Sequence, residues 1–351
     1  MSLGARIAGL AFLAAGAGFV AWGLLGGESG APGEAILASS AQCRSCHPAV
    51  YEEWQGSWHG KAFVDPEVRA LSNDYRNEQC IDCHAPRPAF ETGVGKPPLP
   101  RSSRRAEGVD CAACHHLPGG GVAAVSKEAA GACGPRHEPL LPSPEFCGGC
   151  HDQHHTVKEW RATPFPAEGI SCVTCHMEPV DRGGRPGADH RSPASHDPDR
   201  IRKAVTVAVR REGALLRIAV KNTGAGHHFP TDERSRAADL IARVLGPDGA
   251  VRSVRRLDRY RNPYRDQVGA SAGLPYREES PLLETRPEST LLPYGVERSY
   301  EFPVPEGSGT IEILLTYKTI PYPEDPEAIL ADEKSFAEKK AFLVHREAVP
   351  F

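Results

Sequence analysis

Ten of the 11 cysteines fall into one repeated arrangement. They read Cys43-Arg-Ser-Cys46-His47, Cys80-Ile-Asp-Cys83-His84, Cys111-Ala-Ala-Cys114-His115, Cys147-Gly-Gly-Cys150-His151 and Cys172-Val-Thr-Cys175-His176. Each is C-x-x-C-H, the attachment signature for c-type haem. Two thiols three residues apart can each form a thioether to one haem vinyl group, and the adjacent histidine then ligates the iron. A chain of this composition would hold on the order of 0.01 such matches by chance. A disulfide framework would not place a histidine after every second cysteine. Zinc sites pair two knuckles, or a knuckle with two histidines, and require no trailing histidine. A thioredoxin-like redox motif would occur once. The expectation is five covalent haems, with His47, His84, His115, His151 and His176 as proximal ligands.

Each iron then needs a sixth ligand to be low-spin. The only methionines are Met1 and Met177, and Met177 directly follows a proximal histidine, so methionine ligation is excluded. The histidines outside the motifs outnumber the positions to fill. His59 is the strongest candidate. His116 follows a proximal histidine and could serve only a neighbouring haem. His137 follows the odd Cys133. His154 competes with His155 for one role. One of His190 and His196 is expected to ligate. His227 lies in a glycine-rich turn from which the C-terminal zone could reach back to a haem. His228 is a weaker choice, and His345 reads as a surface residue. All-histidine ligation implies low potentials. Cys133 reads as a free buried thiol.

The elements that must position these groups divide the 351 residues into three zones. Residues 1–33 hold Arg6, an apolar run from Ile7 to Leu25 and a glycine-rich linker. The run lies at the border between a signal peptide and a spanning helix. It lacks a clear cleavage site, which favours an uncleaved inner-membrane anchor. Either way the chain is expected to be exported, to the periplasm or the cell surface. Residues 34–199 hold every cysteine and all but three histidines. Five haems in so short a segment must touch one another, with short helices at the motifs and long irregular connections. Arg101, Arg104 and Arg105 would either offset haem propionates or form a solvated basic loop. Residues 200–351 hold no cysteine and alternate in the manner of strands, at Val205–Val209, Leu216–Val220, Asp239–Leu245, Val251–Asp258, Ser299–Val304, Thr310–Lys318 and Ala341–His345. The fold class is therefore α+β, a haem-packed helical and irregular domain followed by an immunoglobulin-like β-sandwich.

The run from Cys43 through Tyr51, Trp54 and Ser57-Trp58-His59 resembles the multihaem cytochromes related to the tetrahaem cytochrome c of ammonia-oxidising bacteria. That family shows C-x-x-C-H, then a tyrosine, a tryptophan and S-x-H, whose histidine is a distal ligand. The resemblance gives that role to His59. Glu145-Phe-Cys-Gly-Gly-Cys-His151, Gly169-Ile-Ser-Cys-Val-Thr-Cys-His-Met177 and the turn Gly224-Ala-Gly-His-His-Phe-Pro-Thr231 also resemble it. The family turn usually continues with glycine, where this chain has Asp232. Some relatives form extracellular cytochrome filaments, which implies self-assembly as one role for the C-terminal zone.

Composition excludes several classes. Charged residues make up 25% and hydrophobic residues 40%, which fits neither a polytopic membrane protein nor a disordered chain. Net charge is −4, with arginines scattered rather than striped, so nucleic acid is not an expected partner. The leading expectation is an electron carrier in anaerobic respiration that meets redox partner proteins. The alternative is a reductase of nitrite, hydroxylamine or a sulfur oxyanion, with one open haem. Pentahaem nitrite reductases commonly carry C-x-x-C-K at that haem, and this chain has no such motif.

Overall fold

The computed structural model describes residues 39–152, 155–231, 236–261, 289–319 and 341–351. The apolar run expected to be an anchor lies outside them. Among the described residues, no helix is long and apolar enough to cross a membrane.

From residue 39 to the start of the sandwich the chain is a series of short helices joined by irregular segments. Two small ladders interrupt it. β1 (Val122–Ala124) pairs parallel with β2 (Pro135–His137), and β3 (Pro179–Asp181) pairs antiparallel with β4 (Pro186–Ala188). Apolar packing there is sparse. Tyr75, Ile81 and Ala85 form a small buried cluster with Phe63 and Val68 against it. So little buried apolar surface does not hold a domain of this size together. The motif segments fit a fold completed by an apolar group that the polypeptide does not itself supply.

A helix, Pro198–Ala204, leads directly into the sandwich. Asp197 caps it by accepting from the amides of Asp199 and Arg200. One sheet has the order β5-β6-β9, from strands Val205–Glu212, Leu215–Asn222 and Glu297–Pro303. The other has the order β11-β10-β7-β8, from Ala341–Pro350, Thr310–Lys318, Ala237–Leu245 and Val251–Tyr260. Every pairing in the two sheets is antiparallel. The split is three and four strands, and the fourth strand of the sandwich, β8, joins the sheet of the third. In constant-type immunoglobulin domains it joins the other sheet.

The sandwich core lies between the sheets. Leu216, Ile218 and Val220 of β6 face Leu240, Ala242, Ile311, Ile313 and Leu315. Full burial of a leucine or isoleucine side chain contributes about 1.5–3 kcal/mol, so this is the most strongly cored part of the described chain. β7 and β10 are buried on both faces, which explains their near-continuous apolar sequence. Their outer faces also carry charge. Asp239 on β7 meets Lys318 on β10 at 2.6 Å and Arg259 on β8 at 2.6 Å, with both Asp239 and Lys318 fully buried. β11 extends to Pro350, beyond the expected end at His345. Its additional residues pair with the first half of β10.

Candidate haem-binding site

Each motif is built on about one helical turn. Residues three apart lie on one helix face, so the two cysteines of a motif project to the same side with the histidine next to them. The second, third and fifth motifs end the helices Gln79–His84, Cys111–His115 and Cys172–His176, and the fourth ends Pro144–His151. The first begins in the 3-10 turn Ser40–Ser45, and His47 is the N-cap of the helix Pro48–Gly56. Capping explains where these short helices start. Asp110 accepts from the amide of Ala113 at 2.8 Å, Ser143 caps through Phe146, and Ser171 forms a capping box with Thr174.

The 11 cysteines form no disulfide with one another. Among the described residues, no three histidine, cysteine, aspartate or glutamate side chains converge as a bare metal site. The motifs nevertheless cluster. Cys43 lies beside Cys111, Cys147 beside Cys172 and Cys150 beside Cys83. The first motif therefore lies against the third, and the fourth against both the second and the fifth. Burial holds the Cys114 thiol up at about 12.

Three motif histidines are oriented by backbone. The Nδ1 of His84 donates to the Ala62 carbonyl at 2.7 Å, that of His115 to Ala123 at 2.8 Å and that of His176 to Pro193 at 2.9 Å. A carbonyl can only accept, so Nδ1 carries the hydrogen and Nε2 is left with its lone pair. This is the partner arrangement that fixes a metal-ligating imidazole. Burial also lowers the pKa of His115 and of His176, which favours the neutral ring.

The structure sets motif histidines opposite histidines from elsewhere. His59 and His151 have ring centres 6.1 Å apart, and His115 and His190 have theirs 6.3 Å apart. An imidazole nitrogen sits about 2 Å from a metal and about 1 Å from its ring centre, so two rings on opposite sides of one ion lie about 6 Å apart. Both pairs match that spacing. The turn that carries His227 packs at Gly226 against Trp160 and Phe165, in the segment that leads into the fifth motif. The Nδ1 of His227 donates to the His228 carbonyl at 2.9 Å. These residues fit haem with an imidazole on each side.

The supports of the outer histidines are specific. Ser57 accepts from the Gly60 amide at 3.1 Å and caps the helix Trp58–Lys61 that carries His59. Trp54 Nε1 donates to the Val109 carbonyl at 2.8 Å, and the Val109 amide donates to the His59 carbonyl at 2.9 Å. A Cβ at Gly60 would meet the Trp54 carbonyl oxygen at 2.4 Å. That clash explains the glycine following His59. His190 sits just past β4. Its Nδ1 donates to Ala188 at 2.8 Å and its amide donates to Glu53 at 3.0 Å, while Arg182 holds the same carboxylate at 2.6 Å. Burial would raise the Glu53 pKa, but Arg182 and the His190 amide outweigh it and hold the group below the usual carboxylate range.

Several expected residues are placed elsewhere. His116 has its Nε2 against the Glu91 carboxylate at 3.1 Å, a contact in which the ring nitrogen donates. His196 stacks on Trp58 at 3.8 Å and its Nε2 accepts from Arg236 at 3.2 Å. Of the pair His190 and His196, His190 is the one set opposite a motif histidine. His228 bonds Glu159, His345 is half-buried beside Glu347, and His137 stands exposed on β2 with Nδ1 on the Val125 carbonyl. His154 lies outside the described residues. Cys133 is free but only half-buried, because it sits in an open loop before β2.

Arg101 is not part of a solvated loop. Arg101 is buried, pairs with Asp110 at 2.9 Å and donates to the carbonyls of Pro86, Arg104 and Gly108. It ties the loop to the cap of the third motif. Sequence reading also passed over Glu53, Glu159 and Asn222. An acidic or amide side chain outside a motif carries no spacing signal.

Residues 42–116 match the family described as cytochrome c554 and c-prime. No curated protein matches the chain. The penta-heme cytochrome c552 from Thermochromatium tepidum shares its fold at TM-score 0.64 and 18% identity, over 90% of this chain and 99% of that one. The superoxide reductase from Nanoarchaeum equitans covers 33% of this chain and 81% of its own at 14% identity, and its TM-score of 0.16 carries no argument. The chain thus carries five attachment motifs, is similar over residues 42–116 to the cytochrome c554 and c-prime family, and shares the fold of a penta-heme cytochrome.

Proposed function

We propose that the chain is a carrier of electrons through five covalently bound haems with histidine on both sides of the iron, working in respiration outside the cytoplasm. The observation that carries this reading is the pairing of motif and non-motif histidines at 6.1 and 6.3 Å. When bound, haem supplies one-electron exchange at iron. The protein's part is to hold the imidazoles. His115 and His190 present Nε2 because both Nδ1 atoms are committed to backbone carbonyls. His59 belongs with His151, and His227 with His176. An iron held on both faces offers no position to a substrate, as suits a carrier. The closeness of the first motif to the third, and of the fourth to the second and fifth, supports close haem spacing.

The same reading has the chain exported, held at the inner membrane by residues 7–25 or released to the periplasm or cell surface. It meets redox proteins there and has the capacity to self-assemble. The alternative is a reductase, which needs one iron with an open position. The ring beside His84 is that of Tyr75, at 6.2 Å, and its hydroxyl is already bound to the carbonyls of Ala62 and Phe63. His47 of the first motif and His84 of the second are the two motif histidines with no histidine assigned opposite them, and their haems are where an open position would arise.

Whole-protein mass spectrometry should show five haems added. The oxidised protein should give only low-spin EPR signals and, once reduced, should ignore carbon monoxide. A high-spin signal or carbon monoxide binding in the wild-type protein would overturn the carrier reading in favour of the reductase.

A further inference from the structure

The turn Asn222–Thr231 belongs to the sandwich by sequence, yet it is built against the segment that leads into the fifth motif. We infer that Glu159 and Asn222 are positioning residues that hold His227 at the fifth haem, so that the sandwich itself completes that site. The inference rests on the proposed axial role of His227.

The contacts come from both sides. Glu159 lies on the helix Thr156–Arg161, and its side chain is only 10% exposed. One carboxylate oxygen accepts from the His228 amide at 2.9 Å, and the other meets His228 Nδ1 at 3.0 Å. A carboxylate that accepts from the backbone and the ring of one residue fixes that residue in both position and rotation. His228 is the direct neighbour of His227, so the helix grips the turn next to the proposed ligand. Trp160, on the same helix, donates to the Ile170 carbonyl at 3.1 Å, just before Cys172. The grip is thus tied to the motif it serves.

From the sandwich side, Asn222 is fully buried at the end of β6. Its Nδ2 donates to the carbonyls of His227 at 2.8 Å and Leu292 at 3.0 Å, and its Oδ1 accepts from the Ala225 amide at 3.1 Å. One amide side chain therefore closes the turn and anchors it to the sandwich. Close approach does the rest. A Cβ at Gly224 would meet the Lys203 carbonyl oxygen at 1.9 Å, and one at Gly226 would meet Phe165 at 2.7 Å. Only glycine lets the turn sit this near both neighbours.

The test uses the full-length holoprotein. EPR and carbon monoxide difference spectra are recorded for Glu159→Ala, Glu159→Gln, Asn222→Ala and His227→Ala, with mass spectrometry to show five haems in each. His227→Ala should convert one haem in five to high spin, and free imidazole should return it to low spin. Glu159→Ala and Asn222→Ala should each convert a fraction of the same haem, with Glu159→Gln between them and wild type. Leu314→Ala, a core change in the sandwich away from the turn, should keep the wild-type spectrum. If His227→Ala converts a haem while the Glu159 and Asn222 variants match wild type, the positioning role is wrong and the axial role stands. If His227→Ala leaves all five haems low-spin, the axial role fails and the positioning role falls with it. If Leu314→Ala converts the haem as strongly as Glu159→Ala, the effect is general destabilisation and the inference is overturned.

Discussion

His115 and His190 face each other with ring centres 6.3 Å apart and with each Nδ1 bound to a backbone carbonyl, although 75 residues separate them in the chain. The pairing depends on the short β3–β4 hairpin, which delivers His190, and on Glu53, which fixes its amide. His190→Ala should leave the third haem with one axial ligand. EPR should then show one high-spin haem in five, and the reduced protein should bind one equivalent of carbon monoxide. Glu53→Ala should give the same change in part, because Ala188 still holds the ring.

His116→Ala and His196→Ala should leave the haem spectrum as in wild type. Both Nε2 atoms are already engaged, by Glu91 and by Arg236. His196→Ala should still cost stability, about 1 kcal/mol, through the lost stacking on Trp58. A combined EPR and denaturant measurement separates the two effects.

Asp239→Ala should destabilise the sandwich by about 3–5 kcal/mol, because it removes a buried carboxylate that pairs with both Lys318 and Arg259. The effect should appear as a lower urea midpoint, read by far-ultraviolet circular dichroism. Asp239→Ala with Lys318→Met should recover part of the loss.

The same pair sets an acid limit. Burial alone would raise the Asp239 pKa, but Arg259 and Lys318 outweigh it and hold the carboxyl below its ordinary 3.8. The unfolded chain therefore binds this proton before the folded one does. The stabilisation is complete above the unfolded value and is lost as pH falls through the folded one. Urea unfolding of wild type should weaken steeply below about pH 4, and Asp239→Asn should flatten that arm.

Gly226→Ala should disturb the fifth haem, because its Cβ would press on Phe165 at 2.7 Å. Gly249→Ala is the control. Its φ is +76° with open space around it, so it should cost about 1 kcal/mol of stability and leave every haem unchanged. The readout is the low-spin EPR intensity alongside the unfolding midpoint.

The C-x-x-C-H motifs were legible in the sequence because the chemistry they imply is local. Two thiols and an imidazole must lie within one helical turn, so spacing alone reveals them, as in Cys111-Ala-Ala-Cys114-His115. The strands of the sandwich were legible for a related reason. Alternation in β5 and continuous apolar runs in β7 and β10 record burial on one face or on both. The end of β11 was missed because residues 346–350 include the charged Arg346 and Glu347 and gain their strand character from pairing with β10.

The second axial partners are a different matter. Nothing local distinguishes His190 from His196, six residues apart in one loop. Tertiary structure separates them, giving one to His115 and the other to Trp58 and Arg236. Glu53, Glu159 and Asn222 are invisible to spacing because each acts on a residue brought near by folding or by a turn. The sequence by itself determined the haem chemistry, the number of attachment motifs and the α+β division, since these depend on neighbours along the chain. Only the tertiary structure decided which histidines stand opposite one another, because that depends on distances through space that no local pattern records.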